Sequence, residues 1–173
     1  MMNIDHRKLI PADFAGDSRV WIYQSNRIFG IAEALQIQGM LDDFVAGWNS
    51  HGTPVKGFGT LFYGQFIVLM ADESATGVSG CSTDSSVRLI REVEKNFNVS
   101  LFDRVSLAFL VKEKVQLLPM AQVKYALENG QLDENTPYFN NTVLTKAALE
   151  TDWIVPVKES WLAGKFLGER SGK

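Results

Sequence analysis

The chain has 173 residues, of which 46% are hydrophobic and 21% are charged, and its formal net charge at pH 7 is −3. This composition excludes an intrinsically disordered chain, and the length predicts a single domain over residues 1–173. The acidic balance argues against a nucleic-acid partner, because binding to phosphate backbones requires a basic surface.

Cysteine usage and hydropathy predict the cellular location. Cys81 is the only cysteine, so no internal disulfide can form and a reducing compartment is expected. Residues 1–8 lack the apolar stretch of a signal peptide, and the apolar run at 66–71 is far shorter than the roughly 20 residues of a membrane helix. We therefore predict a cytoplasmic protein without a membrane partner.

The first half of the chain reads as a strand, a helix and a β-hairpin. The strand covers residues 20–25, and apolar residues then recur at three- and four-residue steps, which predicts one buried helix face: Ile31, Ala34, Leu35, Leu41, Phe44, Val45 and Trp48. Residues 49–54 end the helix. Two apolar segments around Gly64 and Gln65 then predict a hairpin over 55–72, with its second strand buried on both faces.

A second helix, further strands and a C-terminal extension follow. The helix is predicted over residues 84–97, ended by Asn98, with strands at 105–111 and 115–118. Pro119 and Gly130 bracket a third helix. The element order β-α-β-β-α-β predicts an α+β fold of the ferredoxin-like, split-βαβ type. Both helices would pack on one face of an antiparallel or mixed sheet, and the C-terminal extension would be added to it.

The segment that enters the second helix is the strongest candidate for a ligand site. It is rich in hydroxyl groups and glycine, and the N–H groups that open a helix favour an anion. Caps and turns also use serine and threonine, so a tight connection without a ligand is the competing reading. The predicted ligand-binding residues are Ser79, Gly80, Cys81, Ser82, Thr83, Asp84, Ser85, Ser86 and Arg88.

Cys81 and His51 are the candidates for catalysis. A thiol near a helix N-terminus can have a lowered pKa and act as a nucleophile if a base lies within hydrogen-bond reach. The alternative is a small, buried and unreactive cysteine, so the residues do not decide whether the protein is an enzyme. One cysteine and two distant histidines give no zinc site, and we predict neither a metal nor a cofactor.

Nucleotide hydrolysis of the P-loop type is excluded. A P-loop requires Gly-x-x-x-x-Gly-Lys-Ser/Thr, because its backbone cradles the phosphates and its lysine reaches them. The chain contains no such string, and residues 52–57 offer only a lysine between glycines with Pro54 removing a donor.

Four segments together resemble a family of uncharacterised bacterial proteins of about this length. They are SRVWIYQSNR at 18–27, HGTPVKG at 51–57, GVSGCSTDSSVR at 77–88 and YFNNTV at 138–143. Members of that family are sometimes labelled ABC-transporter ATPases, an activity that requires the missing P-loop. The resemblance therefore implies no catalytic residues for this chain.

Two functions from different classes remain open. The first is the binding of a small anionic or phosphorylated ligand at residues 79–86. The alternative is a non-enzymatic interaction protein or homo-oligomer, such as a homodimer, with Trp161 and Phe166 as interface anchors.

Overall fold

The computed structural model describes residues 5–72, 74 and 80–168, with the side chains of 80–82 left out. The fold is α+β, as predicted. The strands are β1 Arg19–Gln24, β2 Asn49–Ser50, β3 Thr53–Pro54, β4 Lys56–Phe62, β5 Phe66–Asp72, β6 Ser106–Val111, β7 Lys114–Pro119, β8 Pro137–Phe139 and β9 Ile154–Pro156. The α-helices are α1 Ile31–Ala46, α2 Gly80–Phe97, α3 Met120–Glu128, α4 Lys146–Asp152 and α5 Leu162–Phe166, and short 3-10 helices cover His6–Leu9 and Val157–Glu159.

The chain divides into two compact units. Among the described residues, the large unit contains 5–72, 74, 80–103 and 144–150, and the small unit contains 104–143 and 151–168. The sequence predicted one domain without an internal boundary. That prediction stays open, since two compact units of one chain can still fold as a single cooperative domain.

The large unit is built on a three-stranded antiparallel sheet in the order β1-β5-β4. The predicted hairpin is confirmed: β4 and β5 pair from Lys56–Asp72 to Phe62–Phe66, around a turn in which Tyr63 and Gly64 both have positive φ. All seven residues of β5 are buried, because the central strand is covered on both faces. Since β1 and β4 each pair antiparallel with β5, they run parallel to each other.

Helices α1 and α2 cover one face of this sheet. Side chains alternate between faces along a strand, and the helix-covered face carries Tyr23, Ile67 and Leu69 in one core cluster with Ile37 of α1 and Ile90 of α2. Glu33 accepts a hydrogen bond from the Gly30 N–H at the start of α1. Asn98 ends α2 in the left-handed region at φ 51°, which confirms its predicted role as the helix stop.

The opposite face of the sheet packs against the N-terminal segment. Phe58 pairs with Met70, so it lies on the face opposite Leu69, and its ring meets that of Phe14 at 6.4 Å between centroids. Helix α4 holds the same segment: the buried Lys146 Nζ donates to the Phe14 carbonyl at 2.8 Å, and the His6 ring lies 2.8 Å from the Leu149 carbonyl. Burial of His6 lowers the pKa of its imidazole, which favours the neutral form.

The ferredoxin-like arrangement is not confirmed, because the fourth strand of that order is missing from the sheet. The segment predicted for it, residues 105–111, forms β6, which pairs with β7 and β8 in the small unit. Residues 144–146 occupy the outer edge of β1 instead: the Val20 N–H donates to Leu144 and the Lys146 N–H to Ser18, both at 2.9 Å. A contact so distant in sequence gives no local signal in the chain.

The small unit contains a four-stranded sheet in the order β7-β6-β8-β9. Its core cluster includes Phe109 and Tyr138 from the sheet, Val123 from α3 and Leu162 from α5. As predicted, α3 begins after Pro119 and ends before Gly130, which has φ 73°.

None of the helices in the described residues is long and apolar enough to cross a membrane.

Candidate functional site

The α1–α2 cleft lies in the large unit, between the C-terminal half of α1 and the middle of α2. Its volume is about 540 Å³. The described residues that line it are Met40, Asp43, Phe44 and Gly47 from the α1 side and Ser85, Arg88, Leu89 and Glu92 from α2. The cleft arises because α1 ends, and α2 begins, at the same end of the sheet, so that the two helices run in opposite directions.

Helix α2 begins earlier than the sequence predicted. The helix starts at Gly80, so residues 80–83, expected to precede the helix, form its first turn. Serine and threonine have low helix propensity because their hydroxyls compete for backbone groups. Here the competition is resolved inside the helix: the Ser86 hydroxyl is buried and donates to the Thr83 carbonyl at 2.6 Å. The Ser86 side chain is therefore buried and bonded within its own helix, and its role in ligand binding stays a prediction.

Two of the predicted ligand-binding residues line the cleft. Arg88 and Ser85 lie side by side, with the Arg88 Nη2 donating to the Ser85 hydroxyl at 3.2 Å. Asp84 is exposed and Thr83 is half-buried, and neither is among the lining residues. Ser79 and the side chains of Gly80, Cys81 and Ser82 lie outside the described residues.

The predicted Cys81–His51 pair is only partly described. His51 is exposed at the turn between β2 and β3, where its backbone adopts φ 50°. Strand β2, which precedes this turn, contacts α2. With the thiol of Cys81 outside the described side chains, a catalytic pair stays a prediction.

Asp72, the buried carboxylate at the end of β5, is occupied by local contacts. It accepts hydrogen bonds from the side chain and backbone N–H of Ser74 and from the backbone N–H of Ala15. These hydrogen bonds, led by that of the Ser74 side chain, lower the pKa of Asp72 to about 2. The carboxylate fixes the chain as it leaves the sheet. Among the described residues, no three His, Cys, Asp or Glu side chains converge as a metal site would require.

Three side chains form the apolar wall of the cleft: Met40, Phe44 and Leu89. The Phe44 ring lies 5.0 Å from the ring of Trp48, which in turn lies 5.8 Å from that of Trp21. Trp48 is only 2% exposed, so this aromatic stack supports the wall from the interior.

No signal in the sequence marked the lining residues of α1. Phe44 was expected on a buried helix face, where an aromatic residue is ordinary, and Asp43 had no predicted role. The same pattern put Ile31 and Leu35 on the buried face, but they are 85% and 71% exposed. Only Ile37 and Leu41 are fully buried in α1, so the helix is rotated relative to the predicted face.

The cleft carries charges of both signs. Asp43 and Glu92 are acidic and Arg88 is basic, and all three are exposed. A ligand with an apolar body and a charged group therefore finds both a surface and counter-charges in it.

Comparison with protein-family models, characterised proteins and solved structures finds no match. The resemblance to a bacterial family thus stays a prediction, and the case for function rests on the α1–α2 cleft.

Proposed function

We propose that this chain is a small-molecule-binding protein whose ligand occupies the α1–α2 cleft and presents an anionic group to Arg88 and Ser85. The observation that carries the proposal is that these two residues, which belong to the segment singled out in the sequence, line a cleft together with an apolar wall. Ligand sites commonly combine a concave, largely apolar surface with a few directed polar groups.

The size and chemistry of the cleft support this proposal. Its volume of about 540 Å³ falls within the roughly 300–1,000 Å³ of typical ligand pockets. A guanidinium binds carboxylates and phosphates through charge-assisted hydrogen bonds, which are about twice as strong as neutral ones. Arg88 already donates to Ser85, and this contact holds the guanidinium at the cleft.

Replacing Arg88 with glutamine tests the proposal. A panel of phosphorylated and carboxylated metabolites is screened by thermal shift, and the best compound is titrated by calorimetry. We expect Arg88→Gln to weaken its binding about tenfold or more, because a hydrogen bond to a charged group contributes roughly 1.5–3 kcal/mol. The apparent melting temperature without ligand should change little, since Arg88 is exposed.

Arg91→Gln is the matched control. Arg91 lies on the same helix, but its guanidinium packs over the Phe102 ring at 4.5 Å and pairs with Glu94, and Arg91 does not line the cleft. The Arg91→Gln substitution removes the same charge as Arg88→Gln and should leave ligand affinity unchanged. Equal losses in the two variants, or no compound that binds the wild type, would refute binding at the cleft.

Assembly through α1 is the alternative function. Ile28, Ile31 and Leu35 form an exposed apolar patch at the start of α1, with exposures of 64%, 85% and 71%. Contiguous exposed apolar side chains often mark protein–protein contacts. The anchors predicted in the tail are less suited to this, because Trp161 donates its indole N–H to the Tyr138 hydroxyl within the small unit and Phe166 packs on the core of that unit.

A charge placed in the patch tests this alternative. We expect Leu35→Glu to convert a homo-oligomer to monomer in multi-angle light scattering, because burying an unpaired carboxylate in an apolar interface is costly. Gln36→Glu adds the same charge at an adjacent exposed position of α1 and should preserve assembly. A wild-type chain that remains monomeric at high micromolar concentration would argue against assembly.

A further inference from the structure

The charged groups of the α1–α2 cleft do not pair with one another. Arg88 and Glu92 are four residues apart on α2, a spacing at which side chains meet on a helix surface. The ion pair that the described part of α2 does form joins Arg91 to Glu94, and neither of these residues lines the cleft. Within the described residues, Asp43, Arg88 and Glu92 therefore line the cleft without neutralising each other.

The two sides of the cleft differ in the charged groups that they carry. The last turn of α1 carries Asp43 and no basic residue, although the C-terminal end of a helix is the negative end of its dipole and favours a cation. Arg88 lies about two turns into α2, beyond the first turn in which the helix dipole acts, so its own charge is what the α2 side offers an anion. The α1 side of the cleft carries the acidic Asp43 and no basic residue, and the α2 side carries Arg88 and the acidic Glu92.

We propose that the ligand of this cleft is a zwitterion: a small molecule with an ammonium group beside Asp43 and Glu92 and an anionic group at Arg88. Its apolar body rests on the apolar wall. An amino acid with an apolar side chain carries all three groups. A simple anion lacks the ammonium group, and the carboxylates of Asp43 and Glu92 would repel it. This inference rests on the proposed function, since it names the ligand class of the same site.

A matched series of compounds separates the charges. Leucine, methionine, phenylalanine, tyrosine and tryptophan are each titrated into the protein beside their N-acetyl and amide derivatives. Acetylation removes the cation and amidation removes the anion, while the apolar body is kept. We expect at least one amino acid to bind about tenfold more tightly than both of its derivatives, measured by calorimetry and by the tryptophan fluorescence of the stack behind Phe44.

Variants assign each charge to its residues. Asp43→Asn combined with Glu92→Gln should abolish the preference for the amino acid over its N-acetyl form, whereas Arg88→Gln should abolish the preference over the amide. Asp152→Asn, at an exposed acidic residue in the small unit, is the control and should change neither preference.

The outcomes distinguish this inference from the proposed function. An N-acetyl form that binds as tightly as its amino acid overturns the zwitterion and leaves anion binding at Arg88 standing. If no compound in the series binds, the zwitterion is overturned as well. The proposed function then stands or falls on the phosphorylated and carboxylated metabolites and their dependence on Arg88.

Discussion

Replacing Lys146 with alanine should lower the free energy of unfolding by about 2–4 kcal/mol, because it leaves buried acceptors without a donor. The Lys146 side chain is 8% exposed, and its ammonium group donates to the carbonyls of Phe14 at 2.8 Å and Ala12 at 3.5 Å. Glu150 lies 3.9 Å away and offsets the buried charge. The loss should appear as a lower midpoint in urea unfolding with little change in slope.

Two further variants separate the causes. Lys146→Met keeps most of the aliphatic stem and removes the donor, so it should recover the packing part of the loss and leave the hydrogen-bond part. Lys124→Ala, at a lysine whose side chain is 72% exposed, should cost less than about 0.5 kcal/mol. If Lys146→Ala costs no more than Lys124→Ala, helix α4 does not hold the N-terminal segment in the way that the geometry indicates.

Replacing Gly57 with alanine should destabilise the large unit by about 1–3 kcal/mol, the usual cost of overpacking a core. A Cβ atom at position 57 would lie 2.7 Å from the Trp48 Cε3 atom, which is closer than two non-bonded carbon atoms can pack. Trp48 cannot turn into solvent, because it is buried between Phe44 and Trp21. Displacing it moves the apolar wall, so ligand affinity should fall together with stability, and the near-ultraviolet circular dichroism of the aromatic stack should change.

Gly39→Ala is the matched control and should have the opposite sign. No atom lies within 4 Å of a Cβ built at Gly39, which is exposed in the middle of α1. Alanine there should stabilise the protein by roughly 0.5–1 kcal/mol through helix propensity. Thermal unfolding of both variants gives their melting temperatures, and each kcal/mol of stability should shift the melting temperature by about 2–4 °C at this chain length. Similar melting temperatures for both variants would contradict the packing assigned to Trp48.

These two variants also connect stability with the proposed site. The α1–α2 cleft is bounded by Phe44, which is supported by Trp48, which in turn fits only because residue 57 lacks a side chain. A change in strand β4 is thereby expected to alter the wall of a cleft that β4 itself does not line. Binding measurements on Gly57→Ala therefore report on the apolar wall, and those on Arg88→Gln report on the charge.

The local elements were largely predictable, because their signals lie within a few residues of each other. Apolar runs around Gly64 predicted the β4–β5 hairpin, and Asn98 and Gly130 marked the ends of helices. The start of α2 was wrong by four residues because propensity alone disfavours its hydroxyl-rich first turns, whereas in the structure Ser86 bonds back to Thr83.

The sequence could not predict which distant segments pack against each other. The residues along the outer edge of β1, 144–146, are more than a hundred positions away from it, and no local pattern distinguishes them from β6 as its neighbour. Ser85 and Arg88 were predicted as site residues from the composition of their own segment, but Asp43 and Phe44 joined them only through the packing of α1 against α2.

The sequence by itself determined an α+β chain with an acidic balance, no P-loop and an unusual hydroxyl-rich approach to its second helix. Only the tertiary structure decided how far α1 is rotated, and hence that Ile31 and Leu35 face outward while Phe44 lines the cleft. The physical reason is that a helix with apolar residues on more than one side has several possible buried faces. The choice among them depends on the sheet and the neighbouring helix that it packs against.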